Sequence, residues 1–249
     1  MKNIKSWLLI GVLMLIAVNS SYAQVEISAE STKKEKKKKD RGERTKDNGT
    51  SVFGTVNWSY TTRKLVENDG LFGKPLGERA YETNLNTWSF ELGLRNKLNQ
   101  YLSWEGGISY MKNGESYSYE GADSTYSYET RYSYVGMPLK LLFTYGEKIK
   151  LIVGAGVVPQ MFVGYKQDRE WTTTLGSSSD EEFKTKTGYS SFVISAVMNV
   201  GIQVNLGGRW SALFMPEYKI QLTSSDDKSS AYKHFGRSLG FNVGLVLDL

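Results

Sequence analysis

Apolar residues recur at every second position along eight stretches of this chain. In the longest, Phe192–Trp210, an unbroken apolar row alternates with small or polar residues through Leu206. Strict alternation is typical of a β-strand with one apolar and one polar face. Strands of globular proteins usually run about five or six residues. A sheet crosses lipid only as a closed barrel, with about 9 to 11 residues of each tilted strand in hydrocarbon. The pattern therefore predicts a membrane-spanning barrel whose apolar rows face lipid.

The connections between the eight stretches alternate in length. The predicted strands lie within residues 52–60, 88–95, 102–110, 132–146, 151–160, 192–206, 210–219 and 238–249. Tight turns are predicted at 99–100, 146–148 and 207–208, and long polar loops at 65–83, 112–127, 166–188 and 224–236. Short turns at one end and long loops at the other are typical of outer-membrane barrels. We therefore expect residues 51–249 to form an all-β, eight-stranded antiparallel up-and-down transmembrane barrel, with turns and termini in the periplasm.

Two local features refine the strand prediction. Pro138 lies inside the fourth stretch, where its missing N–H removes a ladder hydrogen bond, so we expect a β-bulge there. Aromatic residues near the strand ends are expected to form girdles at the two membrane interfaces. They are Tyr60, Trp88, Trp104, Tyr110, Tyr132, Tyr134, Tyr145, Tyr165, Trp210 and Tyr218.

The N-terminal region is predicted to direct export. Basic residues precede the apolar run Trp7–Val18, and Ser21-Tyr22-Ala23 forms a small-residue cleavage site, so residues 1–23 read as a signal peptide. Residues 24–50 contain nine basic and six acidic residues and are predicted to be a disordered periplasmic tail. The tail is either a spacer or a site at which Lys33–Lys46 contacts anionic lipid or an acidic periplasmic partner. Residues 51–249 contain twenty basic and twenty acidic residues, which argues against a nucleic-acid surface.

The inward-facing register is predicted to carry a charge network. Its members are Glu91, Arg95, Glu105, Lys140, Glu217 and Lys219. The interior of an eight-stranded barrel is just wide enough for side chains, and isolated buried charges are costly. We therefore expect these three acids and three bases to pair as a structural plug. A narrow path for ions or solutes remains the alternative.

The chain offers few residues for catalysis. It contains no Cys and one His, which argues against a zinc site, and no cofactor is predicted. The one histidine, His234, lies in the last predicted loop near Asp226, Asp227, Ser229 and Ser230. A Ser–His–Asp triad is recognised by geometry, so a lipid-acting barrel hydrolase using His234 stays open as an alternative. A lipocalin-like soluble carrier would have an apolar interior and a polar exterior, the reverse of this pattern. The main interpretation is a non-enzymatic, monomeric outer-membrane barrel whose extracellular loops or periplasmic tail mediate contacts.

Three segments resemble a family of small barrels. They are "YVGMPLKLLF" (Tyr134–Phe143), "LIVGAGVVP" (Leu151–Pro159) and "EYKIQLTS" (Glu217–Ser224). Together they resemble the "porin family", or PorT-like, outer-membrane proteins of Gram-negative bacteria, across about residues 51–249. The resemblance implies an outer-membrane location, contact with its lipid and insertion by the barrel-assembly machinery, and it leaves the activity open. Such barrels typically end in an aromatic residue, where this chain has Leu249.

Overall fold

Ten β-strands are present among the residues that the computed structural model describes. The structure describes residues 49–67, 80–173, 175–226, 230 and 232–249. The strands are β1 (Thr50–Glu67), β2 (Glu82–Lys97), β3 (Leu102–Glu120), β4 (Ser124–Gly136), β5 (Leu139–Gly146), β6 (Ile149–Thr173), β7 (Ser178–Thr185), β8 (Phe192–Gly207), β9 (Trp210–Gln221) and β10 (Tyr232–Asp248). Within the described residues, no helix is long and apolar enough to cross a membrane.

The strands close into a ring of eight. Each wall strand pairs antiparallel with its neighbours in the chain, and β1 pairs with β10 from Ser51↔Asp248 to Glu67↔Tyr232. Strands β4 and β5 together occupy one position in the ring, between β3 and β6. Strand β7 pairs with β6 and lies outside the ring. The predicted all-β class and eight-stranded antiparallel up-and-down barrel are therefore confirmed.

The β-bulge predicted at Pro138 is wrong. Gly136 pairs with Ser109 and Leu139 with Gly106, so two residues face two residues across the interruption and the register is unchanged. The Pro138 carbonyl accepts a hydrogen bond from the Gly107 N–H (3.3 Å). The strand therefore loses only the hydrogen bond that proline cannot donate.

A register shift does occur higher on the same wall. Ser133 pairs with Gly164 and Tyr134 with Phe162, so Val163 of β6 is the extra residue. A bulge reverses which residues of the bulged strand face inward. Beyond Val163 the odd-numbered residues of β6, such as Tyr165, therefore take the inward face.

The outer face of the ring is apolar. On β8, Met198 and Val200 are exposed, whereas their neighbours Val197 and Asn199 are buried in the interior. The same exposure pattern continues around the wall at Val56, Trp58, Phe90, Leu92, Ile108, Leu141, Phe143, Leu151, Val153, Phe214, Phe241 and Val243. We call this ring of outward side chains the apolar band. A band of this kind on all eight wall positions is typical of a barrel surrounded by hydrocarbon.

Part of the interior is also apolar. Phe53, Leu142, Ile152, Leu213, Met215 and Val246 form a buried cluster inside the ring. Alternation alone does not predict this layer, because it assumes that the inward face is polar. The signal is present in runs such as Leu141–Phe143, where consecutive apolar residues indicate that both faces are dry.

Two of the predicted loops are strands. The segment 112–127 extends β3 to Glu120 and starts β4 at Ser124, which leaves only a three-residue connection. The segment 166–188 extends β6 to Thr173 and contains β7. Tyrosine and serine alternate in the first segment, and tyrosine favours strands. The prediction failed because alternation was sought between apolar and polar residues only.

Several predictions lie outside the described residues. They concern the signal peptide 1–23, the tail through residue 48 with Lys33–Lys46, the central part of the 65–83 loop, and Asp227 and Ser229. Strand β1 already begins at Thr50, at the predicted end of the tail.

Candidate functional site

The interior of the barrel brings the six predicted charged residues together. Lys140 lies at the centre, with its Nζ 2.7 Å from Glu91, 3.8 Å from Glu217 and 3.9 Å from Glu105. The Arg95 guanidinium binds Glu105 at 2.6 Å, and Lys219 lies 3.2 Å from Glu217. The arrangement joins three cations and three carboxylates from four wall positions into one neutral network.

Amide side chains extend this network across the ring. Asn57 of β1 donates to Asn242 of β10 (3.0 Å), and Asn242 donates to Glu217 of β9 (2.9 Å). On the other side, Arg95 donates to Gln203 of β8 (2.6 Å). Hydrogen bonds to charged groups are stronger than neutral ones, so these contacts lower the cost of burying the charges.

The interior is filled near Lys219, whereas Arg95 and Gln203 line a cavity of about 790 Å³ at the end that carries the tight turns. A Cβ atom added at Gly154 would overlap both the Asn199 amide and the Leu142 side chain. The cavity lined by Ser59, Gln160 and Lys219, among others, has a volume of about 20 Å³. A water molecule needs roughly 10 to 15 Å³ by this measure, so the space holds about one water.

A second charged layer lies beyond the apolar band. Arg63 of β1 binds Glu82 of β2 at 2.6 Å and Glu115 of β3 at 3.1 Å. The Tyr132 hydroxyl donates to Glu115 at 3.4 Å. Sequence reasoning missed this layer because the predicted strands were too short: residues 52–60 do not reach Arg63, and residues 88–95 do not include Glu82. The continuing inward parity of β1 and β3 is the signal that identifies Arg63 and Glu115.

Burial controls the protonation of Glu115. The residue lies beyond the band, and its pKa is raised to about 7, because burial outweighs the attraction of Arg63. Arg63 also binds Glu82, so its single charge is shared between two carboxylates. Burial likewise raises the pKa of Asp226 to about 6.

Three residues predicted for the girdle point inward instead. Tyr132 and Tyr134 are buried and form an interior cluster with Val193, with Tyr165 packed against it. Val135 faces outward on β4, so the even-numbered residues Tyr132 and Tyr134 face inward. On β6, the bulge at Val163 turns Tyr165 inward. The girdle prediction is wrong for these three. Tyr60, Trp88, Tyr110, Tyr145, Trp210 and Tyr218 are exposed on the outer face.

His234 lies inside the barrel beside this aromatic cluster. Its ring centroid is 4.5 Å from that of Tyr132, and the residue is 1% exposed. Ser225, a possible nucleophile nearby, shares a hydrogen bond of 2.8 Å with Tyr134 and accepts one from Gln221. A lipid substrate would have to reach the imidazole, and this burial does not provide a path. The geometry therefore does not favour the hydrolase alternative.

Strands β3 and β4 continue beyond the band as a tyrosine-rich hairpin. Tyr117 pairs with Tyr128 and Tyr119 with Tyr126, which places the four rings on one face. The rings of Tyr117 and Tyr128 stack at 5.0 Å, and Tyr81 packs edge-on against Tyr119 at 5.2 Å. We call these five residues the tyrosine face. The opposite face carries serines and charged residues.

Comparisons with solved structures return outer-membrane barrels at low similarity. Neisserial surface protein A is 10% identical, with a TM-score of 0.41, over 81% of this chain and 97% of that one. The attachment invasion locus protein Ail of Yersinia pestis is 14% identical, with a TM-score of 0.32, over 79% and 99%. The N-terminal barrel domain of Pseudomonas aeruginosa OprF is 8% identical, with a TM-score of 0.28, over 76% and 96%. No family model and no curated protein matches the sequence. We transfer no residue role or activity from proteins this distant.

The charge network predicts a large cost for removing its central cation. Lys140→Ala should lower the free energy of unfolding by about 3 to 5 kcal/mol, because Glu91 and its neighbours would keep buried, uncompensated charge. Adding Glu91→Gln should restore part of the loss. Thermal unfolding in detergent measures both. Lys148→Ala, in an exposed turn, is the control. Equal melting temperatures for the Lys140 and Lys148 variants would contradict the network.

The raised pKa of Glu115 predicts that stability falls as pH rises. The folded state binds this proton more tightly than the unfolded chain, whose carboxyl titrates near 4.5, so stability is lost between pH 4.5 and about 7. Glu115→Gln should match the wild type below pH 4.5 and unfold at a higher temperature above pH 7. The free energy of unfolding of the two proteins should differ by at most about 3 kcal/mol.

Thermal melts at several pH values test this prediction, with Glu147→Gln in an exposed turn as the control. The raised pKa of Asp226 is shared by all three proteins, so each retains a smaller dependence of stability on pH. A Glu115 variant that stays parallel to the wild type from pH 4 to 8 would show that Glu115 does not cause the dependence.

Proposed function

We propose that this chain is an exported, non-enzymatic barrel of the bacterial outer membrane. The apolar band carries the proposal, since it surrounds the ring at every wall position while the interior holds buried charges. Such polarity suits hydrocarbon outside and a sealed core within. The predicted signal peptide 1–23 supplies the export step, and the barrel-assembly machinery would insert the strands. The three family-like segments support a place among PorT-like small barrels.

The filled lumen argues against transport as the main role. The charge network, the apolar cluster and the aromatic cluster all lie in the interior. An ion would have to separate paired buried charges to pass, which is costly. The protein therefore acts through its surfaces and through the ends of its chain.

The tyrosine face is the surface that we assign to contacts outside the cell. Tyrosine and serine dominate the paratopes of antibodies, because tyrosine offers a large, rigid contact area at low entropic cost. Here the strand pairing holds the rings in fixed positions. Short turns at the opposite end support an extracellular position for this hairpin. The tail, through Lys33–Lys46, remains the candidate for periplasmic contacts. Within the described ring each wall strand is paired on both sides, which supports a monomer.

Fractionation tests the location, and conductance tests the sealed lumen. The mature protein should stay with outer membranes after alkaline extraction, and it should migrate faster unboiled than boiled on a denaturing gel. In planar bilayers it should give no stable conductance steps, because the interior is packed. A soluble periplasmic protein serves as the fractionation control. Release of the chain into the soluble fraction would end the proposal, and sized conductance steps would restore transport.

A further inference from the structure

The outer wall of β3, β4, β6 and β7 carries a cluster of cations just beyond the apolar band. The first polar row contains Lys112, Ser133 and Gly164, which pair across three strands. Lys186, which follows β7, lies over Gly164, with its Cε 3.9 Å from the position of a Cβ there. The next row contains Arg131, Lys166 and Lys184. We call these five cations, around Ser133 and Gly164, the basic cradle.

A groove is lined by three cations of the basic cradle, Lys166, Lys184 and Lys186. It has a volume of about 350 Å³, and its lining includes Tyr110, Val163, Gly164, Lys166 and Lys184. The small residues at positions 133 and 164 leave the floor open. The groove therefore joins the edge of the apolar band on one side to a row of positive charges on the other.

The charges of this wall are arranged asymmetrically. A third row, Glu129, Asp168 and Glu182, lies farther from the band and pairs with Arg131, Lys166 and Lys184. Like charges directly opposite each other destabilise a sheet, so the acidic row offsets the basic one. Lys112 and Lys186 pair with no carboxylate among the described residues, and the Lys112 ammonium lies 5.8 Å from the Tyr110 ring centroid. Positive charge therefore exceeds negative charge on the side nearest the band.

We propose that the basic cradle binds the phosphate of an anionic lipid headgroup in the outer leaflet. The inference rests on the proposed membrane location, because the first polar row beyond the band then lies at the headgroup level. Basic residues near an anionic membrane surface each add to binding. The acyl chains of the lipid would pack along Tyr110 and Val163, whereas free phosphate has no acyl chain to make these contacts. The ligand is therefore a phosphorylated lipid. In the outer leaflet of the outer membrane this lipid is a phosphorylated glycolipid.

Lipid binding by the mature full-length chain tests the assignment. The protein in detergent is titrated with diphosphorylated lipid A, with the same lipid lacking both phosphates, and with inorganic phosphate. Native mass spectrometry counts the bound lipid. We expect binding of the phosphorylated lipid and at least tenfold weaker binding of the other two probes.

Paired variants assign the binding to this wall. K112Q with K186Q should weaken binding about 30-fold, the order expected for two cations at an anionic surface. Gly164→Phe keeps every charge but fills the groove, and it should also reduce binding. The control is K64Q with K233Q, which removes two exposed, outward-facing lysines of β1 and β10 and should leave binding unchanged. Faster migration of unboiled samples shows that each variant folds.

The outcomes separate the site from the proposed location. Equal losses in the cradle and control variants, or equal binding of the lipid without phosphates, would overturn the cradle. Release of the protein by alkaline extraction would instead overturn the membrane location. A chain that remains in the membrane but binds no phosphorylated lipid contradicts the cradle alone.

Discussion

The structure depends on the requirement that every backbone polar group within lipid be paired. A sheet satisfies this requirement only if its first and last strands meet, and here β1 and β10 pair along seventeen residue pairs. Closure pairs every wall strand on both sides, and the two-residue period then sends alternate side chains inward and outward. Three prolines lie in the wall, at positions 138, 159 and 216. Each removes one donor, yet the register passes all three without a shift. The wall therefore tolerates a missing hydrogen bond where a missing strand would leave two edges open.

Closure also decides what the interior can be. Eight strands leave a space that side chains fill, so any charge within it must find a partner. The network around Lys140 meets this condition with three carboxylates and with amides from the facing strands. The apolar cluster around Leu142 and the aromatic cluster around Tyr132 complete the filling. A filled interior leaves the outer wall and the hairpins that extend beyond the apolar band as the surfaces on which we expect a ligand or partner to act.

The sequence predicts the wall well because lipid imposes a simple pattern. Alternation placed Met198 and Val200 outward and Asn199 inward, and it identified the six charged residues that meet in the lumen. The prediction failed in the strand segments beyond the apolar band, where the outward face is not apolar. The pairing of Tyr117 with Tyr128 depends on tyrosine alternating with serine, both of which suit a solvated strand. Tyr165 was misplaced because the single extra residue Val163 changes the parity of β6. Contacts such as Arg63 with Glu115 join strands distant in sequence, and only the register reveals them.

The most direct test of this account uses the absence of cysteine from the chain. Single cysteines placed along β8 from Phe192 to Leu206 can be spin-labelled in the reconstituted protein without competing thiols. Collision rates with oxygen, which concentrates in hydrocarbon, and with a water-soluble nickel chelate then report what surrounds each position. The account predicts high oxygen and low nickel collision rates at alternate positions such as Met198 and Val200, and low rates with both at Val197 and Asn199. High nickel collision rates at Met198 and Val200 would show that this face meets water, and they would contradict a barrel with lipid outside.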